Sequence, residues 1–141
     1  MNKKLWVGFI AVFIAMVLTD FAIHVGLLGS IYHSEAMAKL MRPESDGKVW
    51  IHFVTAAFKS FFFVLMFSKG YEGKGMAEGV RFGFYLAMIA AMGMAYDTYA
   101  AMPLPYTLAL QWFLYGIIQW IILGVVAAMV YGKTPGMQKM A

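Results

Sequence analysis

Four long apolar segments divide this chain, and they constrain its fold more than any other feature. They cover residues 5–31, 49–67, 79–101 and 106–131. Each approaches or exceeds the roughly 20 residues that a helix needs to cross a bilayer core about 30 Å thick. The segments do not alternate as barrel strands do, and a helix satisfies its own backbone hydrogen bonds in lipid. The sequence therefore predicts an all-α membrane protein: a four-transmembrane-helix bundle that forms one domain over residues 1–141.

The composition agrees with a protein that is dissolved in lipid. Hydrophobic residues make up 62% of the chain and charged residues 13%, against about 45–50% and about 25% in soluble domains. A soluble fold of this length has too little interior to bury so many apolar side chains. The chain has no cysteine, which excludes disulfides, thiolate metal sites and a cysteine nucleophile.

The distribution of lysine and arginine predicts an orientation in the membrane. Seven of these residues fall on one side of the predicted spans: Lys3, Lys4, Lys69, Lys74, Arg81, Lys133 and Lys139. Three fall on the other side: Lys39, Arg42 and Lys48. The positive-inside rule then predicts that both termini lie in the cytoplasm. No clear cleavage site follows the first apolar segment, so we interpret it as a retained span.

Small residues recur at every fourth position in the last two segments. The third segment has Gly79, Gly83, Ala87, Ala91 and Ala95 in this register, and the fourth has Gly116, Gly124, Ala128 and Gly132. Small residues let membrane helices approach closely, so we expect tight packing of these helices on each other or on a partner. The run GFIAVFIAM (8–16) also resembles GFYLAMIAAM (83–92). This weak repeat raises the interpretation of a duplicated helical hairpin.

One lysine, Lys59, interrupts the second apolar segment near its middle. It lies about 15 Å along the helix from Lys69, at mid-membrane depth. A lysine at that depth usually faces the bundle interior and has a partner. Asp20 in the first segment is the carboxylate nearest in depth, so we expect an Asp20–Lys59 ion pair.

Further polar residues accompany this expected pair. Helical spacing of three or four residues places Asp20 with His24 on one face and His52, Thr55 and Lys59 on another. These residues form one predicted intramembrane polar seam: Asp20, His24, His52, Thr55 and Lys59. The second hairpin has its own polar residues, which are Asp97, Gln111 and Gln119.

Three functions are compatible with the polar seam. It can fix which helices pair, as a structural device. It can be the path of a small proton- or ion-coupled transporter, which such intramembrane groups often mark. It can also bind a cofactor, because His24 and His52 lie at similar depth and suit haem iron, or copper together with Asp20. No nucleotide loop, zincin motif or serine–histidine–aspartate set points to an enzyme.

Three stretches resemble small four-span bacterial integral membrane proteins of unknown function. They are KGYEGKGMAEGVRFGF (69–84), YDTYAAMPLP (96–105) and LLGSIYHSEAMAKLMRP (27–43). The resemblance implies the four-span topology and a bacterial inner membrane, and it transfers no activity. The sequence as a whole predicts a non-enzymatic membrane protein that works as an oligomer or as an accessory subunit of a larger assembly. Its expected partners are the lipid bilayer and other copies or other membrane subunits, with no nucleic acid.

Overall fold

The computed structural model describes residues 2–132 and contains only helices and connecting segments over that range. Four helical spans within it are long and apolar enough to cross a membrane: Lys3–Leu27, Trp50–Gly70, Met76–Ala101 and Tyr106–Tyr131. The predicted all-α, four-span fold is therefore confirmed. Lys133 and Lys139, which contributed to the predicted orientation, lie outside the described residues. The cytoplasmic placement of both termini and the bacterial inner membrane stay predictions.

Seven α-helices build the spans and the loops between them. In chain order they are α1 (Lys3–Phe21), α2 (Gly29–Tyr32), α3 (Glu35–Ala38), α4 (Trp50–Gly70), α5 (Met76–Met92), α6 (Thr98–Ala101) and α7 (Tyr106–Tyr131). A π-helical segment over Ala22–Leu27 extends α1, and another over Gly93–Asp97 joins α5 to α6. Both odd-numbered spans thus have π-helical turns near the same end of the bundle. The duplication itself stays a prediction.

The first span is shorter than the sequence predicted, because it ends at Leu27 and not near residue 31. Leu28 leaves the helix and is fully buried. It packs in a cluster with Met37 of α3 and with Leu104 and Leu108 of the last hairpin. Burying Leu28 in that cluster requires the chain to turn. The segment after the first span therefore folds over the end of the bundle.

Helices α5 and α7 approach each other to backbone contact. A Cβ atom added to Gly79 would overlap the Gly124 carbonyl, and one added to Gly83 would overlap the Trp120 carbonyl. Ala91 faces the same interface and is almost completely buried. These contacts confirm the close packing that the four-residue register of small side chains predicted.

The remaining contacts place the four spans around the bundle in the order α4, α1, α7 and α5. Helix α1 packs against both α4 and α7, so each predicted hairpin has neighbouring helices. Helix α4 also reaches α5 through Phe82, whose ring centroid lies 5.1 Å from that of Phe63 and 5.3 Å from that of Phe67. These aromatic contacts lie in the second half of α4.

The two ends of the bundle differ in how they are closed. We call the end that holds the start of α1, residues 71–75 and the end of α7 the terminal end. The other end, with residues 28–49 and 102–105, is the loop end. At the terminal end the Lys4 ammonium donates to the Tyr131 carbonyl over 3.1 Å, and the Tyr71 hydroxyl donates to the Gly132 carbonyl over 2.8 Å.

Glu78 fixes the loop at the terminal end. Its carboxylate is 5% exposed and accepts the backbone N–H groups of Glu72 at 2.6 Å and Lys74 at 2.9 Å. Gly75 has φ of 75°, a left-handed value that suits glycine. The Lys74 ammonium hydrogen-bonds Glu72 and holds the pKa of that exposed carboxyl below its ordinary value. The glycine-rich loop is thus a hydrogen-bonded turn.

Candidate functional site

A cavity of about 250 Å³ lies inside the bundle, and all four spans contribute to its walls. The first span supplies Asp20 and His24, the second supplies Lys59, and the fourth supplies Gln119. Three members of the predicted seam therefore meet around one space. The other walls are apolar or aromatic and include Met16, Met94, Trp112 and Trp120.

Asp20 has a different partner from the one the sequence suggested. The Gln119 amide nitrogen donates to Asp20 over 2.7 Å and to the Thr19 hydroxyl over 2.9 Å. Within residues 2–132 the ion pairs are Arg42–Asp46 and Lys74–Glu72, so the expected Asp20–Lys59 pair is not formed. The physical reason is that α7 lies beside α1 and presents an amide at the depth of Asp20.

Lys59 lies at the middle of the 21-residue helix α4 and lines the cavity. Its side chain is exposed and has no hydrogen bond or ion pair within the described residues. An ammonium group at mid-membrane depth costs about 2.5–3.5 kcal/mol on insertion scales. The cavity therefore contains a cation that its own chain leaves without a partner over residues 2–132.

His24 is oriented by a chain of two hydrogen bonds. Its Nδ1 lies 2.7 Å from the Tyr32 hydroxyl, and the Trp112 indole N–H donates to that hydroxyl over 2.7 Å. The His24 and Tyr32 rings stack with centroids 5.9 Å apart. The indole N–H can only donate, so the Tyr32 oxygen accepts from it and the Tyr32 proton can be donated to Nδ1; in that tautomer the His24 proton is on Nε2. Burial raises the pKa of Tyr32, and the Trp112 hydrogen bond acts in the opposite direction.

The other two members of the predicted seam lie outside the cavity walls. His52 and Thr55 are exposed on the first half of α4. The Thr55 hydroxyl donates to the His52 carbonyl within the same helix over 3.0 Å. His52 is still near enough to interact electrostatically with His24, as are Asp20 and Lys59. A functional role for the five residues as a group stays a prediction.

A metal or haem would have few ligands in this region. Within residues 2–132 no three histidine or acidic side chains come together as a metal-binding group. His24 could offer Nε2 only in the tautomer whose Nδ1–H donates to Tyr32, which is the second-shell arrangement that metal-binding histidines use. His52 could be the second ligand. Haem or copper binding through these residues stays a prediction, as does transport.

The polar residues of the second hairpin have three different environments. Gln119 bonds Asp20, as described above. Asp97 is exposed at the end of the third span. The Gln111 side-chain oxygen is buried without a hydrogen-bond donor among the described residues. Only Gln119 therefore reaches the cavity.

Sequence reasoning missed Tyr32 and Trp112 as site residues. Tyr32 follows the first span, and only the turn at Leu28 brings it back to His24. In the sequence, Trp112 is one of several aromatic residues in an apolar segment. No local signal in the sequence identifies either residue.

Comparison with known proteins adds no functional assignment. No protein-family model, curated protein or solved structure matches this chain.

Proposed function

We propose that this chain is a small non-enzymatic integral membrane protein that works as an assembly of identical copies. The observation that carries the proposal is the exposure of residues 50–59, which we call the loop-end half of α4. Within that stretch Ala56 is the only buried residue and Ala57 the only half-buried one. A half helix that its own bundle leaves uncovered is available to another membrane protein.

Lipid is a poor cover for this half helix, because three of its exposed residues are polar. They are His52, Thr55 and Lys59. Ionisable side chains within membrane spans usually face protein or water, since contact with hydrocarbon costs free energy. A protein surface that presents a carboxylate at the same depth would lower that cost.

A second copy of the chain offers such a carboxylate. Asp97 is exposed near the loop end of the third span and has no hydrogen bond or ion pair within residues 2–132. At a rise of about 1.5 Å per residue, Asp97 lies about 6 Å from the end of its span and His52 about 3 Å from the start of α4. The acidic and basic groups therefore match in depth at the same end of the bundle.

This complementarity favours contact between α4 of one copy and the third span of the next. The contact uses two different surfaces of the protein, so it is heterologous, and repeating it closes a ring when the rotation allows. The polar half helices would then face protein on every subunit. Because His52 and Asp97 belong to opposite hairpins, both hairpins take part in the assembly.

Cysteine cross-linking in native membranes tests the arrangement. The chain has no cysteine, so every cross-link comes from an introduced pair. Disulfides need Cα atoms about 4.4–6.8 Å apart. We expect the double variant His52→Cys/Asp97→Cys to form a ladder of dimers and larger species on oxidation. Co-expressing the two single variants should give dimers that contain one of each.

A matched control replaces His52 by an exposed residue at the same depth on another helix. Val25 lies two residues from the end of the first span and is 59% exposed. Val25→Cys/Asp97→Cys should give far less cross-linking. Three outcomes would overturn the proposal: no ladder from the His52 pair, equal ladders from both pairs, or stoichiometric purification with a different membrane protein. The last result would instead make this chain an accessory subunit.

A further inference from the structure

The cavity inside the bundle is not needed for the proposed assembly, since its walls come from the spans of one chain. We propose that it binds the ring head group of a membrane-soluble quinol, with the apolar tail of that lipid extending out of the bundle. The inference goes beyond the proposed function and does not depend on it, because it rests on the chemistry of the cavity alone.

The polar groups around the cavity are suited to a ligand that both accepts and donates hydrogen bonds. Lys59 can only donate, and within residues 2–132 it has no partner. Ionised Asp20 can only accept, and Gln119 bonds only its Oδ1 atom. A ring with hydroxyl groups on opposite sides satisfies both requirements, because one hydroxyl oxygen accepts from Lys59 and the other hydroxyl donates to Asp20.

His24 adds a third polar contact. The bond between its Nδ1 and the Tyr32 hydroxyl fixes the ring, and His24 lines the cavity. With the proton on Nε2, this histidine is a second donor for a ring oxygen. The carboxylate of a fatty acid presents acceptors alone, so it could accept from Lys59 but could not donate to Asp20. The combination of groups therefore favours a neutral quinol over an anion.

The apolar walls suit a flat ring. Trp112 and Trp120 offer aromatic faces for stacking, and Met16 and Met94 offer thioethers, which make favourable contacts with aromatic rings. The cavity of about 250 Å³ is smaller than typical pockets for drug-sized ligands, which begin near 300 Å³. It therefore has room for a head group but not for a long tail.

The surroundings of the cavity provide a way out for such a tail. Lys59 and Met94 are both cavity-lining and exposed, so the cavity reaches the surface beside them. They belong to the second and third spans. A tail that leaves between these spans passes to the outer surface of the bundle, where it meets lipid chains in the single chain and lies beside the neighbouring copy in the proposed assembly.

Tryptophan fluorescence gives a direct binding assay. The chain has four tryptophans, and Trp6 and Trp50 are exposed at 41% and 61%. Replacing both by phenylalanine leaves Trp112 and Trp120 as the only reporters, both on the cavity wall. In this background, reconstituted in lipid nanodiscs, decylubiquinol should change the fluorescence in a saturable way.

Two variants test whether the signal comes from the cavity. Lys59→Met removes the donor and should weaken decylubiquinol binding about tenfold or more, since hydrogen bonds to charged groups are the strong ones. Lys69→Met removes a lysine of the same helix outside the cavity and should leave binding unchanged. Ala90→Leu, which narrows the cavity without changing its charges, should also weaken binding.

Binding of the oxidised probe, decylubiquinone, tests whether the cavity recognises the hydroxyl groups of the quinol. Decylubiquinone lacks the hydroxyl donors, so it should bind more weakly than the quinol, and Asp20→Asn should reduce that difference. Fluorescence changes that do not saturate, or that are equal in wild type and Lys59→Met, would overturn the proposal. Lys59-dependent binding of decanoate with no effect of decylubiquinol would also overturn it, by assigning the cavity to anions. The cysteine ladder, measured on the same membranes, reports separately on the assembly.

Discussion

The α5–α7 interface and the loop-end half of α4 represent two opposite ways for a membrane helix to sit in a bundle. At the interface, Gly79 and Gly83 bring backbone against backbone, so even one methyl group has no room. In the half helix, Phe53 and Phe58 are 51% and 65% exposed and contact little of their own chain. In lipid, helix association depends on close packing and hydrogen bonds and not on hydrophobicity. The small-residue interface is therefore the tightly packed part of the bundle, and the loop-end half of α4 is the part that its own chain leaves uncovered.

The largest expected effect comes from adding a methyl group at the tight α5–α7 interface. Gly83→Ala places a Cβ atom against the Trp120 carbonyl, and backbone cannot move aside as a flexible side chain can. We expect a loss of about 3 kcal/mol or more in the free energy of unfolding, measured by denaturant titration in detergent micelles. The control is Gly70→Ala, where an added Cβ meets nothing within 4 Å. Equal stabilities of the two variants would remove the contrast drawn above.

Two phenylalanines of the same helix compare the halves of α4 directly. Phe63 is 1% exposed and packs against Phe82 and Trp120, whereas Phe58 is 65% exposed. Phe63→Ala should lower the free energy of unfolding by about 2–3 kcal/mol through lost packing, and Phe58→Ala by less than about 0.5 kcal/mol. Thermal unfolding of the monomer in detergent measures both. A large loss for Phe58→Ala would mean that the loop-end half is packed within the single chain.

Two glutamines of α7, of which Gln119 alone lines the cavity, allow a comparison with a smaller expected effect. Gln119→Leu removes the donor to Asp20 and should cost about 1–2 kcal/mol. Gln111→Leu removes a buried oxygen that has no donor among the described residues, so it should be neutral or stabilising. Unfolding titrations of the two variants, made side by side, give the difference. The reverse order would mean that Asp20 does not depend on Gln119.

The smallest effect is expected at the terminal end. Glu78→Gln replaces a carboxylate that accepts two backbone N–H groups by an amide with one acceptor oxygen. We expect a stability loss of about 1 kcal/mol. Hydrogen exchange at the Glu72 and Lys74 amides should become faster in the variant. Unchanged exchange at both amides would show that the carboxylate does not hold the loop.

The sequence predicted the four helical spans well and the direction of side chains around each helix poorly. Apolar length gave the four spans, and the four-residue register of Gly79 and Gly83 gave the closest interface. The predicted partner of Asp20, Lys59, was wrong. Only the packing of α1 beside α7 brings the Gln119 amide to Asp20. That packing results from contacts along the whole length of both helices.

The neighbours of His24 escaped prediction for a related reason. Its hydrogen bond to Tyr32 requires the first span to end at Leu27 and the chain to turn at Leu28. In the sequence, residues 28–31 are apolar enough to continue the span. Hydropathy measures the preference of each residue for lipid, but Leu28 meets that preference equally well in a protein cluster with Leu104 and Leu108.

Helix α4 packs more closely against the bundle in its second half than over residues 50–59, where Ala56 is the only buried residue. In the second half of α4, Phe63 and Phe67 contact Phe82. The helix begins at Trp50, in the half that its own chain leaves uncovered. Along the helix axis, Trp50 lies about 20 Å from Phe63, whereas Lys59 lies only about 6 Å from Phe63. A tilt of α4 about Phe63 would therefore move Trp50 roughly three times as far as Lys59. A displacement of Trp50 by a neighbouring copy in the proposed assembly would shift Lys59, and with it the wall of the cavity, by about a third as much.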